Sequence, residues 1–232
     1  MSQAGLPTTR DAARELVVLF ARRLLAEHLV SYTAGNISTR IADEPDLVAV
    51  TPASTAYDTL TAEDVVMVRL DGTVVEGSRR PTSELPLHTL VYLDRPDIGG
   101  IVHTHSRAAM AVAAMGIDVP PILHGLVSAC GGGITTAPYA RGGTAEVATY
   151  TAEALRHRSA CLLRNHGVLA VGPTLEHAYN AASTVEGVCD AYLRALAFGP
   201  VPEIPADDVE RIRREQWAPA WTSAGDGRTH GG

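Results

Sequence analysis

Residues 98–115 read IGGIVHTHSRAAMAVAAM, and this stretch decides the architecture. The apolar run from Ile98 to Val102 is too short for a helix and ends in two histidines one residue apart. Alternation along a strand turns His103 and His105 to the same face. Ser106 then stands where a helix N-cap is needed, ahead of the Ala- and Met-rich run 107–115. A strand followed at once by a helix that must pack back on it predicts sheet and helices in stacked layers.

The flanking segments fit that frame. Thr8 or Thr9 caps a first helix, with Asp11 in its first turn and Leu16, Phe20 and Leu24 at helical spacing to about residue 30. SYTAGNIS (31–38) reads as a turn-rich link, LVAVT (47–51) as a buried strand, and 65–76 as a hairpin about Asp71-Gly72. PTSELPLHTLVYL (81–93) starts a helix, with Ser83 as cap and Pro86 tolerated in the first turn. A Pro/Gly-rich crossing spans 119–133, and a helix runs from about Thr144 to Arg158. ACLLRNHGVLAVG (160–172) reads as two strands about a tight turn. A long amphipathic helix covers 174–198, stopped by Gly199-Pro200, and a short charged helix covers 207–217. The fold class expected is α/β (α+β): a single domain with a central, mainly antiparallel β-sheet flanked by helices. Its main unit spans 1–200, and 201–232 form a C-terminal helix and a disordered tail.

Composition narrows the function classes. With 46% hydrophobic and 19% charged residues the chain is a packed globular protein, and with 5% aromatics its core is built from Val, Leu, Ile and Ala. A net charge of −7 without Lys/Arg blocks argues against nucleic acid or an acidic membrane as partner. No 18-residue apolar run and no basic-then-apolar N-terminus is present, so neither a membrane span nor a secretory signal is expected. Cys130, Cys161 and Cys189 show no C-x-x-C spacing and read as buried, reduced thiols of a cytoplasmic protein.

Two imidazoles facing one way suit a shared divalent cation, which binds neutral imidazole nitrogen. His166 stands in R-N-H-G at a turn tip, where rigid strands can aim it. Glu84 begins a helix, where a carboxylate is stabilised and can reach outward. Three histidines and one glutamate make a ligand set for Zn2+, with Mn2+, Co2+ or Fe2+ as alternatives, and leave a position free for substrate. His88, one turn after Glu84, is placed to support it; His124, beside Pro120-Pro121, is a candidate lining residue. His28, His157 and His177 read as exposed helix residues. Arg79, Arg80, Arg107 and Arg164 read first as solvated surface groups and second as carboxylate clamps. Trp217 and Trp221 are candidates for closing over a neighbour's site.

Six segments carry a family resemblance: AGNIS (34–38), TPASTAYDTL (51–60), the Ser83-Glu84 pair, VHTHS (102–106), APYA (137–140) and LLRNHGVLAVG (162–172). On these the chain resembles the class II aldolase/adducin superfamily, which includes sugar-phosphate aldolases, 4-epimerases and decarboxylases such as that of 3,4-dihydroxyphthalate. The resemblance implies an antiparallel sheet assembled as a homotetramer, with sites for a small-molecule substrate at subunit interfaces. It implies that His103, His105 and His166 hold the metal and that Glu84 is the acid/base residue, itself a ligand when no substrate is bound. Asn36 would contact substrate, and carbon–carbon cleavage would run through a metal-stabilised enediolate or carbanion. Three phosphate-gripping loops would correspond to Gly35-Asn36 with Ser38, to Thr51-Pro52-Ala53-Ser54, and to Thr82-Ser83-Glu84.

Two positions depart from that pattern. Ser54 stands where the family has a glycine, whose positive φ lets the backbone approach a phosphate. Gly125 follows His124 where the fuculose-phosphate enzyme is expected to carry a tyrosine that serves the neighbouring subunit as proton donor. These departures turn the expectation toward a lyase that decarboxylates a hydroxy-aromatic or 3-oxo acid. The alternative is an aldolase cleaving a sugar phosphate such as L-fuculose 1-phosphate. A non-catalytic adducin-like interaction module is the reading from another class.

Overall fold

Eight short segments pair into one sheet in the computed structural model, which describes residues 5–142, 144–218 and 221. The strands are β1 (Asn36–Ile41), β2 (Glu44–Val50), β3 (Val66–Arg69), β4 (Val74–Glu76), β5 (Gly100–Thr104), β6 (Thr135–Ala137), β7 (Ala160–Leu163) and β8 (Gly167–Gly172). They lie in the order β4-β3-β2-β1-β5-β8-β7-β6. Every neighbouring pair is antiparallel except β6 and β7, so the mainly antiparallel single-domain expectation holds.

Seven α-helices cover the sheet: α1 (Arg10–Ala26), α2 (Leu85–Asp94), α3 (Arg107–Met115), α4 (His124–Cys130), α5 (Ala145–Ala154), α6 (Leu175–Leu196) and α7 (Ala206–Ile212). Alternation along the strands divides the core in two. Ile37, Val102 and Val168 pack with Val17, Val112, Leu126 and Val185 of α1, α3, α4 and α6. Val48, Ile101 and Leu169 pack with Leu87, Val91 and Ala148 of α2 and α5 on the other face. Because side chains two apart share a face, Ser38 and His103 point to the α2 side.

The elements differ from the expected ones in informative places. Asn36–Ile41, expected as a link, is a central strand with all six residues buried. Its polar groups find partners there: Thr39 Oγ1 donates to the Gly99 carbonyl at 3.2 Å, and Arg40 Nε to that of Ile98 at 2.8 Å. The Pro/Gly-rich crossing contains α4, closed by Gly131. Thr9 is the cap of α1, accepting from the Ala12 N–H at 3.2 Å. Glu84, not Ser83, occupies the N-cap of α2 and makes no capping bond, so its carboxylate is free to turn elsewhere. Ser106 holds the N-cap position of α3 without capping it. Instead the two carboxylate oxygens of Glu186, on α6, accept from the N–H groups of Ala108 and Ala109 at 2.9 Å each.

The charged C-terminal segment is α7 followed by a π-helical turn, Arg213–Trp217. Trp217 is buried on its own chain, donating Nε1–H to Ser159 Oγ at 2.7 Å, so it does not stand free to cover a neighbour. The tail expected to be disordered lies outside the described residues beyond Trp221, as does His230. All three cysteines are free and buried. No helix of the described residues is long and apolar enough to cross a membrane.

Glu186→Ala strips the tertiary cap from α3. It is expected to lower stability by about 1–2 kcal/mol in thermal or denaturant unfolding, the size of a lost N-cap; an unchanged midpoint would show that Glu186 caps nothing in solution.

Candidate metal centre and substrate cavity

The antiparallel register of β5 and β8 sets Thr104 against Val168 and His103 against Leu169. The β7–β8 turn, with His166 at its tip, therefore lies over the end of β5. That turn closes only because residue 167 is glycine. A Cβ there would stand 2.9 Å from His105 Cδ2 and closer still to the Thr104 carbonyl oxygen. Asn165, just before His166, is held in the left-handed region at φ 59°.

The three rings form a near-equilateral cluster, with centroids 4.8, 4.8 and 4.9 Å apart and each pair edge to face. His103 is fully buried and donates Nδ1–H to the Val168 carbonyl at 2.7 Å, which turns the Nε2 lone pair to the centre. His103 Nε2 lies 2.9 Å from His105 Nε2. Glu84 closes the fourth side, with Oε2 3.0 Å from His103 Nε2 and Oε1 3.4 Å from His166 Nε2. One donor atom from each of the four residues falls within 4.8 Å of the others.

Burial favours neutral imidazole, as a metal requires. Burial, reinforced by the neighbouring rings, lowers His105 to about 4 and lowers His166 as well. Burial pushes the Glu84 carboxyl up, but His103, the Asn36 hydrogen bond and His166 outweigh it and hold the group below the usual carboxylate range. Three convergent nitrogen lone pairs and one carboxylate fit a divalent transition cation in number and chemistry. The cation would offset the carboxylate charge and keep the imidazoles from repelling one another.

β1 brings Asn36 beside His103 in register. Asn36 donates Nδ2–H to Glu84 Oε2 at 2.8 Å, and its Oδ1 faces His88 Nε2. His88 is wholly buried, and that burial lowers its ring to about 3, so it is neutral. Gly35, at φ 89°, lets β1 enter here: a Cβ would lie 2.7 Å from the His103 carbonyl oxygen.

The cluster opens into a cavity of about 630 Å³. Gly35, Asn36, Ser54, Thr82 and Ser83 all line it, together with Glu84, His105 and His166. Ser54 adopts φ 53°, the backbone shape that the family's glycine would take. Its loop is tied to the next by the Ala53 N–H to the Arg80 carbonyl at 2.9 Å and the Thr82 N–H to the Thr51 carbonyl at 3.1 Å. His124 is not brought to this cavity by its own chain. It sits exposed on the first turn of α4, its Nε2 3.2 Å from Gln216 Nε2. Unread as site residues are Tyr139 and Asn165, although both lie in segments that carry the resemblance. Arg80 also lines the cavity and has no ion pair or side-chain hydrogen bond among the described residues. Arg79 pairs with Asp64 at 2.9 Å, and Arg107 is exposed. A separate cavity of about 510 Å³ under Trp217 and Trp221 contains none of the four cluster residues.

The family model for the class II aldolase and adducin N-terminal domain matches residues 15–193. The chain is 34% identical over 202 residues to 5-deoxy-D-ribulose 1-phosphate aldolase of Bacillus thuringiensis, covering 87% of this chain and 94% of that one. It is 36% identical over 178 residues to L-fuculose phosphate aldolase of Escherichia coli, covering 76% and 81%. A solved structure of an L-fuculose 1-phosphate aldolase superposes with a TM-score of 0.84 at 30% identity, covering 88% of this chain and 95% of that one.

His103→Ala and His166→Ala should each lose most of the divalent metal carried by purified protein, measured by plasma mass spectrometry; full occupancy in either variant would remove that residue from the ligand set. Acid should destabilise the fold through His88. Its folded value of about 3 lies below its ordinary 6.5, so the unfolded chain binds the proton first. The stability it contributes is complete above pH 6.5 and is lost as pH falls toward 3, read from unfolding midpoints of wild type against His88→Gln.

Proposed function

The chain belongs to the class II aldolase and adducin family, and we propose that it acts there as a divalent-metal-dependent lyase of the aldol type that splits a small sugar phosphate. The observation that carries this reading is one cavity that joins two chemically distinct sets of groups. The cluster of His103, His105, His166 and Glu84 opens into it, and Gly35, Ser54, Thr82, Ser83 and Arg80 line it as well.

His103, His105 and His166 would hold a divalent cation, Zn2+ first for this donor set, which when bound would supply polarisation of a substrate oxygen and a sink for developing negative charge. Glu84 would move the proton: its carboxylate, held by Asn36, would take the proton from the substrate hydroxyl as the carbon–carbon bond breaks and that carbon becomes a carbonyl, and would then return it to the carbon that keeps the electrons. The hydroxyls of Ser54, Thr82 and Ser83 and the guanidinium of Arg80 suit an anionic group such as phosphate. Ser54 in the left-handed region supports a phosphate loop that keeps its shape without glycine. Gly125 lies exposed with open space around it and does not line its own chain's cavity, as suits a position that would face a neighbouring subunit's site. The Ser54 departure that favoured decarboxylation thus loses weight, and the two aldolase relatives support the aldol alternative. Convergence of all four ligand groups argues against a non-catalytic interaction module.

The same reading includes a homotetramer with sites at subunit interfaces. It is supported by Tyr139, 64% exposed, which lines the cavity, and by Tyr32, 87% exposed and next in sequence to the lining residue Thr33. The free buried thiols support a reducing compartment.

A panel of ketose phosphates, hydroxy-aromatic acids and 3-oxo acids, followed for aldehyde and CO₂ release together, tests the reaction. Aldehyde from a ketose phosphate, abolished by chelation, is the expected result; CO₂ release without aldehyde would make the enzyme a decarboxylase. Glu84→Gln should keep the metal while turnover drops by about 10²–10⁴-fold. Arg80→Ala should raise KM by about 10–100-fold, as expected for one charge-assisted hydrogen bond to phosphate; an unchanged KM would place the anion elsewhere.

A further inference from the structure

Behind Glu84 a line of polar side chains runs into the core, where apolar groups would pack without penalty. Glu84, His88 and Tyr92 follow at four-residue spacing on one face of α2. Asn36, Ser38 and Arg40 follow at two-residue spacing on the facing side of β1. The two rows interlock. Asn36 Nδ2 lies 2.8 Å from Glu84 Oε2, and Asn36 Oδ1 meets His88 Nε2. His88 Nδ1 lies 2.7 Å from Ser38 Oγ, and Ser38 Oγ lies 3.0 Å from the Tyr92 hydroxyl. The Arg40 guanidinium covers the Tyr92 ring at 4.6 Å and donates to the Tyr92 carbonyl at 2.7 Å. Asn36 is 4% exposed, and His88, Ser38 and Tyr92 are fully buried, so no water can replace a missing partner.

The donor count fixes the direction of every bond. An ionised carboxylate only accepts, so the Asn36 amide presents N–H to Glu84 and its oxygen to His88. Nε2 of His88 must then donate. A neutral imidazole has one N–H, so Nδ1 accepts from the Ser38 hydroxyl, whose oxygen accepts from Tyr92. Every hydrogen in the chain points toward Glu84. With the other tautomer of His88, the Asn36 amide would turn over and set its oxygen against the carboxylate.

We propose that His88, held as the Nε2–H tautomer with the Ser38 hydroxyl on Nδ1 and Asn36 Oδ1 on Nε2, is a positioning residue for proton transfer: it locks the Asn36 amide so that Asn36 holds the Glu84 carboxylate in place. This rests on Glu84 being the proton-transfer group of the lyase reading above. The network touches none of the three histidine donors and reaches the cluster only through Glu84 Oε2, so with the cation held by the histidines its effect falls on turnover rather than on metal binding.

The test compares wild type with His88→Met, which fills the space without a donor, and His88→Gln, whose amide N–H can stand in for Nε2–H. Two-bond ¹H–¹⁵N spectra should show His88 protonated at Nε2. The Asn36 side-chain amide protons should exchange slowly in wild type and His88→Gln and quickly in His88→Met. Metal content should stay equal in all three. With the best ketose phosphate, kcat should fall by about 10–100-fold in His88→Met with KM within about twofold, and His88→Gln should recover most of it. Protonation at Nδ1, an unchanged kcat in His88→Met, or equal losses in the two variants would overturn the proposal. If no substrate turns over, the lyase reading fails while the tautomer and exchange measurements still decide the network. Should His88→Met not fold, Ser38→Ala removes the donor to Nδ1. A mixture of tautomers with reduced kcat is then expected, and pure Nε2–H with unchanged kcat overturns the assignment.

Discussion

The register between β5 and β8 is the constraint on which the site depends. Side chains alternate with period two, so a slip of one residue would send His103 to the α3 face and move the β7–β8 turn off the end of β5. Register is secured from both sides. Ile101 and Leu169 must enter the α2–α5 core while Val102 and Val168 enter the opposite one. Gly167 lets the turn seat against the Thr104 carbonyl, where any Cβ would hold it away. The hydrogen bond from His103 Nδ1 to Val168 then couples ring orientation to that same register. Hydrophobic burial, which is non-directional, is thereby converted into the aim of three lone pairs at one point.

A second layer of order comes from polar burial. Three imidazoles, a carboxylate and the Asn36–His88–Ser38–Tyr92 line sit where solvent does not reach most of them. Such groups are tolerable only when each has a partner, and a half-satisfied network is worse than an apolar core. The line is complete from Tyr92 to Glu84, and the remaining demand at its outer end is that of the ligand atoms themselves. Local rigidity is therefore concentrated behind the metal centre, while the opposite wall of the cavity is made of loops.

What was legible in the sequence follows the same division. VHTHS and RNHG could be read because alternation and a tight turn are local properties, and they placed three of the four cluster residues correctly. Glu84 was legible as a helix-start carboxylate, though its cap role was assigned to Ser83; only the fold shows the side chain turned away from its own helix. β1 was not legible as a strand. Its NISTRI sequence lacks polar/apolar alternation, because the residues that should be apolar carry the network to α2 and the bonds to Gly99 and Ile98. The cap of α3 was invisible for another reason: Glu186 lies 78 residues from the Ala108 N–H that it binds. The setting of His124 was not legible, because α4, a helix hidden by its proline- and glycine-rich surroundings, holds it beside Gln216 and outside its own chain's cavity.

Ser54 shows where residue identity and backbone conformation part company. A glycine in a phosphate loop is read as a demand for positive φ, and its replacement as loss of the loop. Here a serine occupies φ 53°, a conformation that costs an L-residue about 1–2 kcal/mol. The strain is carried by a loop pinned on both sides, by Ala53 to the Arg80 carbonyl and by Thr82 to the Thr51 carbonyl. The residue before it, Ala53, lacks the hydroxyl of the family pattern, and Ser54 supplies one a position later, still on the cavity wall. The pair Ala53-Ser54 thus moves the hydroxyl one position along the chain and keeps the turn without a glycine. An anion bound there would meet the same kind of wall, with its hydroxyl shifted along the chain, and Arg80 adds a charge beside it. On the proposed reading, the grip on an anion would follow from where along that wall the hydroxyl and the guanidinium stand rather than from the presence of a glycine.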